Sequence, residues 1–159
     1  MKNRKRGFSL VELLIVLAVI AALIATITPV ALNAIQKAKA TQVAQNLKTL
    51  ASALENAAYV NGVTATYVNN ASQTTITLAD LGRDIDGNKY GVAYAVSSGV
   101  VTARIFYDGA DVKTDLVTAA LPTATTTKAA FTTTQELGVA WANATGGTDV
   151  IYPFEFTVY

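Results

Sequence analysis

Between Leu13 and Leu32 only Thr26, Thr28 and Pro29 interrupt a run of apolar residues, and from Leu13 to Ala25 there is no polar side chain at all. Such a run is apolar on every face, and its roughly 20 residues are what a helix needs to cross a bilayer. Lys2, Arg4, Lys5 and Arg6 stand just before it. The positive-inside rule therefore directs Met1 to the cytoplasm and residues from about 33 onward to the far side. The bulk of the chain is expected to be extracytoplasmic.

The remaining composition narrows the chemistry. The chain has 159 residues, 52% of them hydrophobic, which leaves room for one compact domain beside a long helix. It has no cysteine and no histidine. The exported part is therefore held by packing and hydrogen bonds alone, zinc loses its two commonest ligands, and catalytic triads lose their usual base. There is no G-x-S-x-G and no phosphate-binding glycine loop, so the reading is not an enzyme and implies no cofactor. Four of the twelve basic residues lie in the first six positions, leaving eight basic against eleven acidic side chains from residue 8 onward. That balance gives no electrostatic footprint for nucleic acid.

Helical periodicity continues past the apolar run. Val43, Leu47, Leu50, Leu54 and Ala57 form one stripe, with Lys37, Lys39, Gln42, Gln45, Lys48 and Glu55 on the other faces. Asn61-Gly62 supplies the stop. From Phe8 to Tyr59 such a helix would measure about 78 Å. Beyond Gly62 the period falls to two. In "GVAYAVSSGVVTARIFYDG" Val92, Tyr94 and Val96 alternate with Ala93 and Ala95, Ser97-Ser98-Gly99 marks a turn, and Val101, Ala103, Ile105 and Tyr107 line the returning strand. The terminal "VIYPFEFTVY" puts Tyr152, Phe154, Phe156 and Val158 on one face, with Pro153 favouring an edge or a strand start. "TATYV" and "TTITL" suggest a further pair across Asn69-Asn70. The expected class is α+β: a long amino-terminal helix, hydrophobic and then amphipathic, packed on a small antiparallel β-sheet domain.

Three local patterns are candidates for surface chemistry. Residues 123 to 134, "TATTTKAAFTTT", hold seven threonines and read as a solvated loop or edge strand, with a sugar-bearing surface as the sharper alternative. Asn70-Ala-Ser72 and Asn143-Ala-Thr145 fit the short N-glycosylation pattern. In "RDIDGNKYG", Asp84, Asp86 and Asn88 alternate as oxygen ligands would for calcium, but Lys89 and Ala95 occupy the glycine and glutamate places of an EF-hand, so an ordinary Asp-Gly turn is favoured and no metal is expected.

The apolar run follows Arg6-Gly7-Phe8, and Glu12 stands near its start. No A-x-A cleavage site follows, as a secretory signal would require. Gly7, Phe8, Glu12, the run to Ala25 and Pro29 together resemble the amino-terminal signature of the type IV pilins and of their relatives, the type II secretion pseudopilins. The resemblance covers roughly residues 2 to 60 and is most specific in "GFSLVE"; beyond residue 60 it is architectural only. It implies a leader of residues 1–7, removed between Gly7 and Phe8 by a membrane-bound prepilin peptidase, and N-methylation of Phe8. It implies a transmembrane or filament-core half-helix at 8–32, an amphipathic half at 33–60 and a globular sheet domain at 61–159.

In the family this glutamate meets the amino terminus of an adjacent subunit, and that role falls by resemblance to Glu12. The physical reason is clear: cleavage creates an α-ammonium, Glu12 lies one helical turn on, and an unpaired carboxylate costs about 2.5–3.5 kcal/mol near a bilayer centre. Ala18, Ala21, Ala22 and Ala25 form a small-residue strip that suits close helix approach. Pro29, after Thr26-Ile27-Thr28, removes an amide donor and is expected to kink or loosen the helix; by resemblance the segment becomes extended on filament entry. The implied career is an inner-membrane precursor, then an extracellular pilus that is a helical homopolymer, served by an assembly platform and ATPase. A pseudopilin of a secretion or DNA-uptake system, and an uncleaved membrane-anchored binding domain, remain open. The disulfide-closed carboxy-terminal loop of many pilins is missing, which leaves the stabilisation of that end unexplained.

Overall fold

The computed structural model describes residues 7–158; the basic residues Lys2, Arg4, Lys5 and Arg6 of the expected leader lie outside the described residues. Helix α1 spans Leu10–Asn61 with Pro29 inside it. The chain divides into two compact units, residues 1–36 and 37–159. In the first, every described residue but Gln36 is exposed.

The second unit is an α+β domain. Its helical part buries Ala40, Val43, Ala44, Leu47, Leu50, Ala51, Leu54 and Ala58. The expected stripe holds through Leu54 and then passes to Ala58, with Ala57 half-buried beside it. α1 ends where Gly62 turns left-handed at φ +81°, its N–H donating to the carbonyl of Ala58 at 3.0 Å. Asn69 Nδ2 and Gln73 Nε2 donate to the freed carbonyl of Asn61. These bonds occupy helix-end groups that otherwise lack partners.

The sheet is antiparallel, ordered β3-β1-β2-β4, with β1 at Tyr90–Ser97, β2 at Val100–Tyr107, β3 at Gln135–Gly138 and β4 at Val150–Thr157. Ser98 and Gly99 join β1 to β2 at φ +51° and +82°, the pair of positive values that a tight two-residue hairpin turn requires. Val92, Tyr94, Val101, Ala103, Ile105 and Phe156 share the cluster that α1 covers. Ala93, Phe106 and Ile151 bury the opposite face against Trp141 and Ala144.

Pro153 lies on β4, the edge strand, as its missing donor favours. Elsewhere along that edge Ile151 exchanges two 2.8 Å bonds with Thr125, and the Thr157 carbonyl accepts from the Tyr59 hydroxyl. The edge is thereby protected from open-ended strand pairing.

The segments "TATYV" and "TTITL" do not form the expected strand pair. They carry isolated bridges, Val63 to Val68 and Asn69 to Thr75, with Val68 and Ile76 buried. The two segments meet across a turn that Asn70 Oδ1 holds by accepting from the amides of Ser72 and Thr74, and Ile76 N–H donates to the Val68 carbonyl at 3.0 Å, but "TATYV" folds back on itself through Thr64 N–H to the Tyr67 carbonyl at 2.8 Å, so no longer ladder forms. Two short helices complete the domain, α2 at Leu78–Leu81 and α3 at Thr114–Ala120, with a 3-10 turn at Trp141–Asn143.

Candidate functional site

The first unit is where sequence and geometry converge on a function. No heavy atom beyond its chain neighbours stands within 4 Å of where a Gly7 Cβ would lie, and Phe8 is 84% exposed. The Gly7-Phe8 bond is therefore uncovered. Ser9 begins the helix, its carbonyl accepting from the Leu13 amide at 3.2 Å. Glu12 Oε2 then accepts from the Ser9 backbone N–H at 2.9 Å. This is the glutamate arm of a capping box, in which an N3 carboxylate satisfies the amide of the N-cap residue. The S-x-x-E spacing of "SLVE" carries that signal, and the sequence reading used Glu12 only as a partner for a terminal ammonium. Glu12 acts on Ser9, one residue beyond the nitrogen that cleavage before Phe8 would free.

From Leu10 to Ile35 the large apolar side chains are 46% to 75% exposed on every side of α1. This is the one described helix long and apolar enough to cross a membrane. A contiguous surface of this kind belongs in lipid or against other helices. Ala18, Ala21, Ala22 and Ala25 are likewise uncovered. Helical backbone continues on both sides of Pro29, which supplies no amide for the Ala25 carbonyl. The hydroxyls of Thr26 and Thr28 donate to the carbonyls of Leu23 and Ile24, at 2.9 and 2.8 Å. Such threonine bonds keep polar groups paired internally in an apolar setting.

The other candidates lie in the second unit. Asp86 Oδ1 accepts from the backbone and side-chain nitrogens of Asn88, at 3.0 and 3.2 Å, which makes the segment an Asx turn. Asp84 and Asp86 line a 240 Å³ cleft with Lys89, Tyr107 and Asp111. There the Tyr107 hydroxyl and Lys89 both donate to Asp111, and these two bonds hold its carboxyl below the usual range. Burial, then Asp111 itself, pushes the Tyr107 phenol well above its ordinary value. Among the described residues no three His, Cys, Asp or Glu side chains gather as metal ligands. Asn70 is committed to its turn, whereas Asn143 is exposed at the end of the 3-10 turn, its carbonyl accepting from the Thr145 hydroxyl.

Sequence reasoning missed two polar positions. Asp149 is 3% exposed and accepts from the Thr145 amide and the Thr148 hydroxyl. Burial, with the nearby Asp108 carboxylate, pushes its pKa up. Lys128 Nζ points at three backbone carbonyls. No pattern of spacing in the sequence marks either one.

Residues 2–28 match the family model described as "Prokaryotic N-terminal methylation motif", the signature of type IV pilins and pseudopilins. The match ends one residue before Pro29. Comparison with curated proteins and with solved structures returns no match.

Proposed function

We propose that the chain is a structural filament subunit: cleaved between Gly7 and Phe8, methylated at the new Phe8 amine, stored in the inner membrane through residues 8–32, and polymerised through α1. The observation that carries this reading is the bare apolar helix that begins within a methylation motif. A membrane-anchored, pilin-like or pseudopilin-like precursor fits both facts, and assembly gives the exposed strip a second apolar environment.

Glu12 sets the register. Before cleavage it caps its own helix through Ser9. Cleavage adds an ammonium beside that cap, and a carboxylate among apolar side chains gains most where such a cation meets it. A neighbouring subunit presents its ammonium at the right height in one axial position, so the pairing selects a single stagger. A contact of this kind is heterologous, and one that does not close on itself generates a helical fibre. The uncovered alanine strip lets adjacent helices approach. Because lipid and filament core are both apolar, hydrophobic burial contributes little to extraction from the bilayer. Work from an assembly ATPase acting through a membrane platform drives that step, and one prepilin peptidase and N-methyltransferase prepares the subunit.

The test is N-terminal mass spectrometry of protein recovered from sheared surface filaments of the native host. Filaments with this chain as main component, beginning at N-methyl-Phe8, are the expected result. Processed protein confined to the membrane fraction would indicate a pseudopilin instead, and an intact leader there an anchored domain.

A further inference from the structure

The carboxy-terminal loop, residues 139–149 between β3 and β4, has no cysteine to close it, yet it and the start of β4 are laced to the threonine-rich segment. Thr125 and Ile151 exchange two backbone bonds of 2.8 Å, and the Gly147 amide donates to the Thr126 carbonyl at 2.7 Å. Lys128 completes the lacing: its Nζ donates to the carbonyls of Ala144 at 2.7 Å, Trp141 at 2.9 Å and Ala142 at 3.4 Å. It also lies 5.2 Å from the centre of the Trp141 ring.

Two properties set this contact apart from a surface ion pair. A primary ammonium has three N–H donors and no acceptor, and three carbonyls converge on it. The Ala142 and Ala144 carbonyls come from the end of the 3-10 turn, where carbonyls run out of donors from their own helix, and the Trp141 carbonyl shares its acceptor capacity with the Ala144 amide at 3.2 Å. No carboxylate takes part, for the salt bridge found among the described residues joins Lys89 to Asp111. Recognition therefore rests on oriented dipoles and an indole face.

The geometry points to a receptor for a primary ammonium, built from the Trp141, Ala142 and Ala144 carbonyls over the Trp141 ring and filled by the chain's own Lys128, which locks the carboxy-terminal loop in place of a covalent link. Specificity follows from the donor set. A guanidinium is planar and presents its N–H groups as a fork, so arginine fits three converging carbonyls poorly. A quaternary ammonium carries the charge with no N–H to give. The inference concerns the second unit alone and does not rest on the filament reading.

Both tests use the full chain in detergent micelles. Under limiting amine acylation, Lys128 of the unaltered protein should react about tenfold more slowly than exposed Lys113, because a nitrogen whose protons are all bonded must open before it reacts. In Lys128→Ala, hydrogen exchange at the Gly147 and Ile151 amides should rise about tenfold. n-Propylammonium, which supplies the missing carbons and the ammonium, should slow it again. Tetramethylammonium at equal concentration should not, and Lys128→Arg should restore only part of the protection. The proposal is overturned by equal acylation of Lys128 and Lys113, by unchanged exchange in K128A, or by equal rescue from the two ammonium salts. If K128A does not fold, the acylation ratio in the unaltered protein decides the matter.

Discussion

The carboxylate of Glu12 accepts a hydrogen bond from the backbone N–H of Ser9 at 2.9 Å. The acid at the start of the apolar run thus has a local task in its own helix, and substitution can separate that task from the register role proposed for it. Glu12→Gln retains an acceptor for Ser9 but loses the charge. It should enter the membrane normally and keep its helix start, while the yield of sheared filaments falls about tenfold, the effect of losing ~1.4 kcal/mol per subunit contact. Glu12→Ala loses both and should also fray at its first turn, by roughly 0.5–2 kcal/mol if the arm matters as other N-terminal caps do. Filament yield at the unaltered level in E12Q would remove charge pairing from the mechanism.

Pro29 gives the second prediction. Pro29→Ala returns a donor to the Ala25 carbonyl and removes a penalty of roughly 3 kcal/mol for proline in a helix interior. Amide exchange around residues 25–29 in micelles should slow, and assembly should decline if this segment extends on filament entry. Exchange can be read by mass spectrometry and assembly by filament yield. Slower exchange with full assembly would show that the segment need not open.

The two halves of α1 should respond unequally to loss of volume. Leu47 is fully buried in the second unit, whereas Leu17 is 55% exposed. Leu47→Ala should cost about 2–5 kcal/mol, the range for a leucine lost from a packed core. It should lower the thermal midpoint followed by near-ultraviolet circular dichroism. Leu17→Ala should leave that midpoint unchanged and act, if at all, on assembly. An equal fall in both variants would mean that the exposed half also stabilises the sheet domain.

What the sequence discloses follows from the range of the interactions involved. Val43, Leu47, Leu50 and Leu54 repeat at helical spacing, and the turn at Ser98-Gly99 needs left-handed residues, so both are local signals and both were legible. Pro153 was equally readable, because a missing donor restricts a strand position whatever its neighbours are. The "TATYV" and "TTITL" pair is cut to a single bridge because Thr64 and Tyr67 close a turn within the first segment, and propensity sums do not register that. The second face of the sheet was illegible for another reason. Trp141, Phe106 and Phe131 meet across widely separated segments, with Trp141 packed edge-on to both rings. Nothing in "TTTKAAF" indicates that its lysine will find the carbonyls of residues more than a dozen positions away. At the amino terminus the S-x-x-E cap is as local a signal as the motif around it, and it is masked there because a terminal ammonium already accounts for Glu12.

Asp149 sets the pH response of the sheet domain. Its pKa is raised by burial, helped by Asp108 and opposed by the bonds from Thr145 and Thr148. The folded protein therefore holds this proton more tightly than the unfolded chain, and between the unfolded value near 3.8 and the raised folded value the native state binds more protons. Stability from this group is complete below that window and is lost as the pH rises through the folded pKa. Asp80 and Asp111 act in the opposite sense: hydrogen bonds hold both below 3.8, and their contribution is lost only as the pH falls past that value. Chemical denaturation midpoints should consequently rise as the pH falls through the folded pKa of Asp149 and decline below about pH 4, where carboxylates titrate. Asp149→Asn removes the charge and keeps one acceptor, so it should remove that rise and leave the acid side intact. The same rise in D149N would assign the titration to a group other than Asp149.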